Sequence, residues 1–168
     1  MAPRAPKLSG WARALSPLIA SRAGSWFYLN IAPRIDRRLL PATNGRLSIS
    51  IGQPVLCLEV RGAKSGQIRR TPLLFTEVDG ELVIVASAAG RPHHPAWYHN
   101  LRAHPRVKLY APGGRSGEYV ARTVAGEERE RMWEAARKLY SGYDAYVDRV
   151  AGAREIPVVA LRRVSAHR

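Results

Sequence analysis

The sequence predicts a mostly antiparallel β-sheet closed into a small barrel, with helices at its margins. Three observations predict it. β-rich runs follow one another through short connections, two pairs of them flank tight-turn sequences, and beyond residue 45 helical signals appear only between groups of strands. The resulting order, β-β-β-α-β-β-α-β, is not the strict alternation that a doubly wound α/β fold requires.

Residues 1–45 read differently from the rest. They carry seven basic residues (Arg4, Lys7, Arg13, Arg22, Arg34, Arg37, Arg38) against one acid, Asp36. Ser16-Pro17 has the form of an N-cap and first helical position. Leu18, Ile19, Trp26, Phe27 and Leu29 then give a rough apolar face. Pro33 opens a second short helix, "PRIDRRLL", expected to close before Pro41. A basic amphipathic extension of this kind either lies on an anionic membrane or packs over the main domain. Residues 46–168 are expected to form the barrel.

Within the barrel, "PVLCLEV" is a continuous apolar run, which marks a buried strand. "TPLLFTEV" and "ELVIVAS" flank Asp79-Gly80, a strong hairpin signal. "HPAWYHNLRAHP" reads as a short helix with Pro95 at its start and Pro105 beyond its end. "RVKLYA" and "EYVARTV" pair around "PGGRSG". "EERERMWEAARKLYSG" is a helix with acids in its first turn, bases near its end and Gly142 as its stop. "EIPVVALRRV" is the last strand.

Composition narrows the function classes. The chain has 168 residues, which suits one domain with an appendage. It holds 27 Lys and Arg against 13 Asp and Glu, a net charge of +14 that calls for an acidic partner. One cysteine, Cys57, excludes a disulfide framework and a cysteine-rich zinc site. The apolar run around Cys57 is too short to span a bilayer, and residues 1–16 lack the apolar segment of a secretory signal. The expected location is the cytoplasm, with peripheral contact at the inner face of the membrane as the role open to the extension.

The charge concentrates in "VRGAKSGQIRRTPLLF", where Arg61, Lys64, Arg69 and Arg70 surround the small residues Gly62, Ser65 and Gly66. A phosphate-binding P-loop would carry a glycine just before its lysine and lead into a helix; this stretch does neither. No G-x-G-x-x-G follows a strand, so a dinucleotide fold is unsupported. What remains is a hairpin turn, "GAKSGQ", either a solvated basic tip or an anion site built from backbone N–H groups, Lys64 and Arg69. No helix-turn-helix or aromatic-basic strand motif supports nucleic acid as the anion.

His93, His94, His99 and His104 lie within twelve residues but share no clear helix face and have no cysteine or carboxylate among them, so no metal site is expected. Tyr140, Tyr143 and Tyr146 recur every three residues and share a face on a helix or helical turn. They form either core packing or a pocket wall.

Taken together, "GAKSGQIRRTPL", "VIVASAAGRPHHPAWYHNLRAHPRVKL", "YSGYDAY" and "REIPVVAL" resemble the deazaflavin-dependent nitroreductases, actinobacterial enzymes that use coenzyme F-420, an 8-hydroxy-5-deazaflavin. The likeness is collinear over roughly residues 30–164. It implies a split β-barrel of the flavin-reductase type, a hydride donor carrying a phosphate and a glutamate tail, and a quinone, nitro compound or other activated acceptor. By the same resemblance Lys64, Ser65, Gln67 and Arg69 hold the phosphate and tail. Pro72 lies on the strand beneath the ring system, Val85, Ala86 and Ser87 lie along the ring, and Trp97 packs beside it. Tyr140, Tyr143 and Tyr146 match the wall on the acceptor side, with Ser87 and the tyrosines as the catalytic candidates. The chain departs from the family at Ala63 and Ala88, where basic residues are common. A split barrel that binds FMN or heme, or a non-enzymatic polyanion binder, is the alternative reading; the expected assembly is a monomer or homodimer.

Overall fold

A computed structural model describes residues 31–50 and 52–165. The helix expected from Ser16-Pro17 and the apolar face from Leu18 to Leu29 lie outside the described residues. Seven strands, β1 (Val55–Arg61), β2 (Ile68–Leu74), β3 (Thr76–Val78), β4 (Glu81–Val85), β5 (Arg106–Tyr110), β6 (Gly117–Thr123) and β7 (Val158–Arg163), form one sheet. Its spatial order is β2-β1-β5-β6-β7-β4-β3, and every neighbouring pair is antiparallel. Helices α1 (Ala32–Ala42), α2 (Ala96–Ala103), α3 (Gly126–Leu139) and α4 (Gly142–Val150) pack around it.

The run expected as one strand from Thr71 to Val78 begins earlier, at Ile68, and changes partner midway. β2 pairs with β1, placing Pro72 opposite Cys57, whereas β3 pairs with β4, placing Thr76 opposite Val83. Only Phe75 separates the two. Its side chain is buried and its N–H donates to the Pro54 carbonyl at 3.0 Å. Two strands consecutive in the chain therefore sit at opposite edges of the sheet, which requires the sheet to curl until those edges meet.

Side-chain alternation divides the core. Leu82 and Ile84 of β4, with Val159 and Leu161 of β7, face a cluster that includes Leu56, Leu58 and Val60 of β1 and Trp97, Tyr98 and Leu101 of α2. Val83, Val85, Val158 and Ala160 face the other way, against Met132, Trp133 and Ala136 of α3 and Tyr143 and Val150 of α4. A third group joins Leu40 of α1 to Val55, Cys57 and Tyr110. β1 is thus covered on both faces, which accounts for the unbroken apolar run of its sequence. Burial pushes the Cys57 thiol up to about 11, so it stays protonated and unreactive.

α1 continues through Pro41 to Ala42, past the expected stop before Pro41. Proline in a last turn removes a single N–H, and Thr43 recloses the end with its N–H and Oγ1 both donating to the Leu39 carbonyl, at 3.0 and 2.8 Å. Asp36 ties α1 to the chain ahead of β1. Its carboxylate is fully buried and accepts from Ser48 Oγ at 2.8 Å, the Ile49 N–H at 2.9 Å and Ser50 Oγ at 2.6 Å. Three donors compensate for burying the charge, and each would be stranded without it.

The expected stop at Gly142 is instead a junction, where Tyr140 ends α3 and Gly142 opens α4. A Cβ on Gly142 would overlap the Tyr140 ring, so a residue without a side chain is needed there for packing and not to end a helix.

The antiparallel order also fixes which loops meet. β1 and β4 run in the same direction, so the turn after β1 and the chain leaving β4 lie at one end of the sheet, where β5 and β7 begin.

Replacing Asp36 with Ala should lower stability by about 3 kcal/mol, because it strands buried donors. For a chain of this size that corresponds to a drop in Tm of roughly 6–12 °C by calorimetry. Asp36→Asn should lose less than Asp36→Ala, since an amide oxygen still accepts. Equal stability of Asp36→Ala and the wild type would contradict the clamp.

Candidate active site

The turn from Gly62 to Gln67 joins β1 to β2. The Gly62 N–H donates to the Gln67 carbonyl at 2.8 Å and the Gly66 N–H to the Gly62 carbonyl at 2.9 Å. Gly66 takes a φ of +67°, which favours glycine, and a Cβ on Gly62 would lie 2.6 Å from Ser65 Oγ and 3.2 Å from the Gln67 carbonyl oxygen, so a side chain there would crowd the turn. Asn100 of α2 fixes the turn from outside, its Oδ1 accepting the Ala63 N–H at 3.0 Å. Lys64 and Ser65 are consequently exposed on a rigid support.

Beside this turn opens a cleft of about 1160 Å³. Its cations come from three elements: Arg37 and Arg38 from α1, Lys64 from the turn, and Arg69 and Arg70 from β2. Among the described residues no carboxylate lines it, while Ala96, Trp97, His99 and Asn100 of α2 form one wall. Arg70 is partly neutralised, because its Nε lies 2.6 Å from Glu59 Oε2. Arg37, Arg38, Lys64 and Arg69 have no ion-pair partner among the described residues. Cations with no anion between them repel one another, which makes a bound anion favourable.

The residues singled out by sequence fall into two neighbourhoods. Lys64, Ser65, Arg69 and Trp97 share the cleft. Gln67 is exposed and does not line it; its carbonyl closes the turn. Pro72 is half-buried on β2 and also lies outside the lining. Val85 and Ala86 end β4 on opposite sides, Ala86 in the cluster that holds Trp97 and Val85 in the cluster of the tyrosines. Ser87 follows, half-buried, at the start of a short turn, Ala88–Gly90.

Tyr140, Tyr143 and Tyr146 do meet. Tyr140 and Tyr143 stand edge to face with centroids 5.2 Å apart, Tyr143 lies 5.8 Å from Trp133, and the hydroxyls of Tyr140 and Tyr146 are 3.1 Å apart. They do not line the cationic cleft. Tyr143, the middle of the three and a candidate for the acceptor-side wall, is buried in the second core cluster. Tyr140 and Tyr146 are only half-buried. Burial, with smaller effects of its two tyrosine neighbours, pushes the Tyr143 hydroxyl well above the ordinary tyrosine range. Burial and the bond to Tyr140 push Tyr146 up to about 12. Both keep their protons at neutral pH.

Two of the histidines meet, His94 and His99, with ring centroids 5.8 Å apart. Among the described residues no group of three or more His, Cys, Asp or Glu is placed to hold a metal ion. His94 stacks on Tyr98 at 5.2 Å, and burial together with the Arg154 charge pushes its imidazole down.

Sequence reasoning missed Arg37, Arg38, Asn100 and Arg154. The arginine pair on α1 was visible as charge but carried no sign that α1 faces β2. Asn100 sits inside an apolar-basic helix, 37 positions from its partner.

The sequence profile of the F420H(2)-dependent quinone reductases matches residues 32–163. An F420H(2)-dependent quinone reductase of Mycobacterium tuberculosis is 35% identical over 135 residues, 77% of this chain and 89% of that protein. A putative F420H(2)-dependent quinone reductase of Mycobacterium bovis matches to the same extent. Among solved structures, an F420-H2 dependent reductase is 37% identical with a TM-score of 0.58, over 65% of this chain and 94% of that one. Another, described as a domain-swapped dimer, is 37% identical with a TM-score of 0.59, over 65% of this chain and 80% of its own. The curled sheet is accordingly a split β-barrel, and the chain belongs to the F420H(2)-dependent quinone reductase family.

Proposed function

We propose that the cationic cleft holds the phosphate and acidic tail of reduced coenzyme F-420, and that the end of β4 and the tyrosine cluster face the ring and a quinone acceptor. The observation that carries this reading is the meeting of Arg37, Arg38, Lys64 and Arg69 in a cleft with no carboxylate among the described residues of its lining. That donor set fits a ligand of several negative charges. A turn that presents a lysine unpaired among the described residues offers a phosphate a point charge and charge-assisted hydrogen bonds. Trp97, largely buried at the wall of the cleft, gives a flat apolar surface suited to a tricyclic ring.

When bound, the reduced deazaflavin supplies a hydride to the quinone. The protein's residues bind, orient and exclude water. Asn100 holds the turn so that Lys64 is already in place, which limits the ordering cost of binding. Tyr140 and Tyr146 share a hydrogen bond and burial keeps the Tyr146 hydroxyl protonated, so one of the two hydroxyls can donate to the acceptor oxygen while the other steadies it. Tyr143 backs the pair through ring contacts.

The quinone acceptor also bears on location. Among the described residues no helix is long and apolar enough to cross a membrane. A lipid-soluble acceptor and the basic residues before Ala32 together favour peripheral contact with an anionic membrane. The full-length protein should co-sediment with vesicles containing phosphatidylglycerol and not with purely zwitterionic ones. Equal recovery with both would remove the membrane from the account.

Two substitutions should separate binding from turnover. Lys64→Ala should weaken coenzyme binding by about 1.5–3 kcal/mol, the worth of a charged hydrogen bond, with turnover at saturation little changed. Tyr146→Phe should lower turnover by about tenfold or more while leaving the coenzyme Kd within about twofold. Deazaflavin fluorescence titration and steady-state quinone reduction give the two readings. An unchanged Kd in Lys64→Ala at low salt would return the turn to a solvated tip, and unchanged turnover in Tyr146→Phe would return the tyrosines to core packing.

A further inference from the structure

Arg154 lies in the loop between α4 and β7, outside the cationic cleft. It has no acidic partner among the described residues. Its guanidinium is half-buried and donates mainly to carbonyls: Nη2 to Ser87 at 2.7 Å, Nη1 to Ala86 at 3.2 Å, and Nε to Arg91 at 3.0 Å. Nη1 also lies 3.3 Å from His94 Nδ1 and 3.4 Å from the carbonyl of the adjacent Glu155.

The three distant carbonyls bracket a backbone that would not hold itself. Ala88, Ala89 and Gly90 take φ values of 49°, 54° and 74°, three consecutive left-handed residues. Two are alanines, whose Cβ disfavours that region, and runs of left-handed residues are rarer than single ones. The turn has two backbone bonds of its own, from the Gly90 N–H to Ser87 at 3.0 Å and from the Arg91 N–H to Ala88 at 3.2 Å. On its other side Gly90 presses on α4, where a Cβ would lie 3.3 Å from Tyr146 Cα and 3.2 Å from Arg149 Cβ. The turn is therefore fixed between α4 and Arg154.

A planar fork of five N–H groups can meet carbonyls at fixed separations; a lysine ammonium on a flexible stem cannot meet all of them at once. Burying a positive charge among carbonyls, without a carboxylate, is costly unless the geometry it imposes matters. Strained backbone concentrates where function needs a set geometry.

We propose that Arg154 is a positioning residue: its guanidinium locks the left-handed turn from Ser87 to Gly90, and so sets where the Ser87 side chain stands beside the coenzyme ring. The proposal rests on the reading that the end of β4 lies along that ring. Arg154 touches neither ring nor acceptor; it acts through the turn.

The test uses the full-length protein and the variants Arg154→Lys and Arg154→Ala. In coenzyme-free protein, hydrogen exchange of the peptide spanning Ala86–Arg91 should speed up by about tenfold or more in Arg154→Lys, with the remaining sheet unchanged. Turnover with menadione should fall by about tenfold while the F-420 Kd stays within about twofold. Millimolar guanidinium chloride should restore turnover to Arg154→Ala, and equimolar sodium chloride should not. Unchanged exchange in the turn overturns the lock. A loosened turn with unchanged turnover, or no recovery with guanidinium, overturns the positioning role. Failure of the underlying reading looks different: Ser87→Ala would be silent in turnover although Arg154→Lys still loosened the turn.

Discussion

Everything at the functional end of this molecule depends on the exchange of partners at Phe75. One run of chain bonds to β1 before that residue and to β4 after it. The exchange forces the sheet to curl and leaves β1 and β4 pointing the same way in a closed structure. The β1–β2 turn, the exit of β4, the start of α2 and the loop before β7 are then obliged to share one end. The β1–β2 turn, the β4-to-α2 connection and the loop before β7 are far apart in sequence, yet all contribute to the cleft or to the turn that Arg154 holds. Phe75 itself is apolar and buried, so the hinge is stabilised by the same core that the strands enclose.

The net charge of +14 is not spread evenly. Acids are placed against arginines away from the cleft: Glu77 with Arg115, Glu81 and Glu128 with Arg122, Glu134 and Asp144 with Arg137. These pairs are largely exposed and add little stability each. Their larger effect is on the field, since they cancel positive charge over much of the surface and leave it concentrated where Arg37, Arg38, Lys64 and Arg69 meet. At the edge of the cleft, Glu59 partly neutralises Arg70, while the other cations have no ion-pair partner among the described residues. The two core clusters divide the aromatic residues as well, with Trp97 on one side of β4 and the three tyrosines on the other.

What the sequence disclosed followed the range of the interaction. The glycine-lysine-serine turn and the Asp79-Gly80 hairpin are local, and both stand where expected. The shared face of Tyr140, Tyr143 and Tyr146 was visible from spacing, but how deeply each is buried depends on Trp133 and Val85, which spacing does not encode. Gly142 read as a helix stop because glycine usually is one; the Tyr140 ring that requires it there is a packing fact. Arg154 gave no local sign at all, for its partners Ala86 and Ser87 lie 68 and 67 positions away and offer only backbone carbonyls. Likewise Arg37 and Arg38 carried charge without an address until α1 was seen against β2.

The central claim is that this end of the barrel recognises its coenzyme chiefly by charge. The direct measurement is the Kd of oxidised coenzyme F-420, and of the same deazaflavin stripped of phosphate and glutamates, across a range of sodium chloride concentrations. The account predicts that the intact coenzyme binds far more tightly at low salt and weakens steeply as salt rises, while the stripped form binds weakly with little salt dependence. Equal affinities with equal, shallow salt dependence would contradict it and transfer recognition from the cationic cleft to the ring alone.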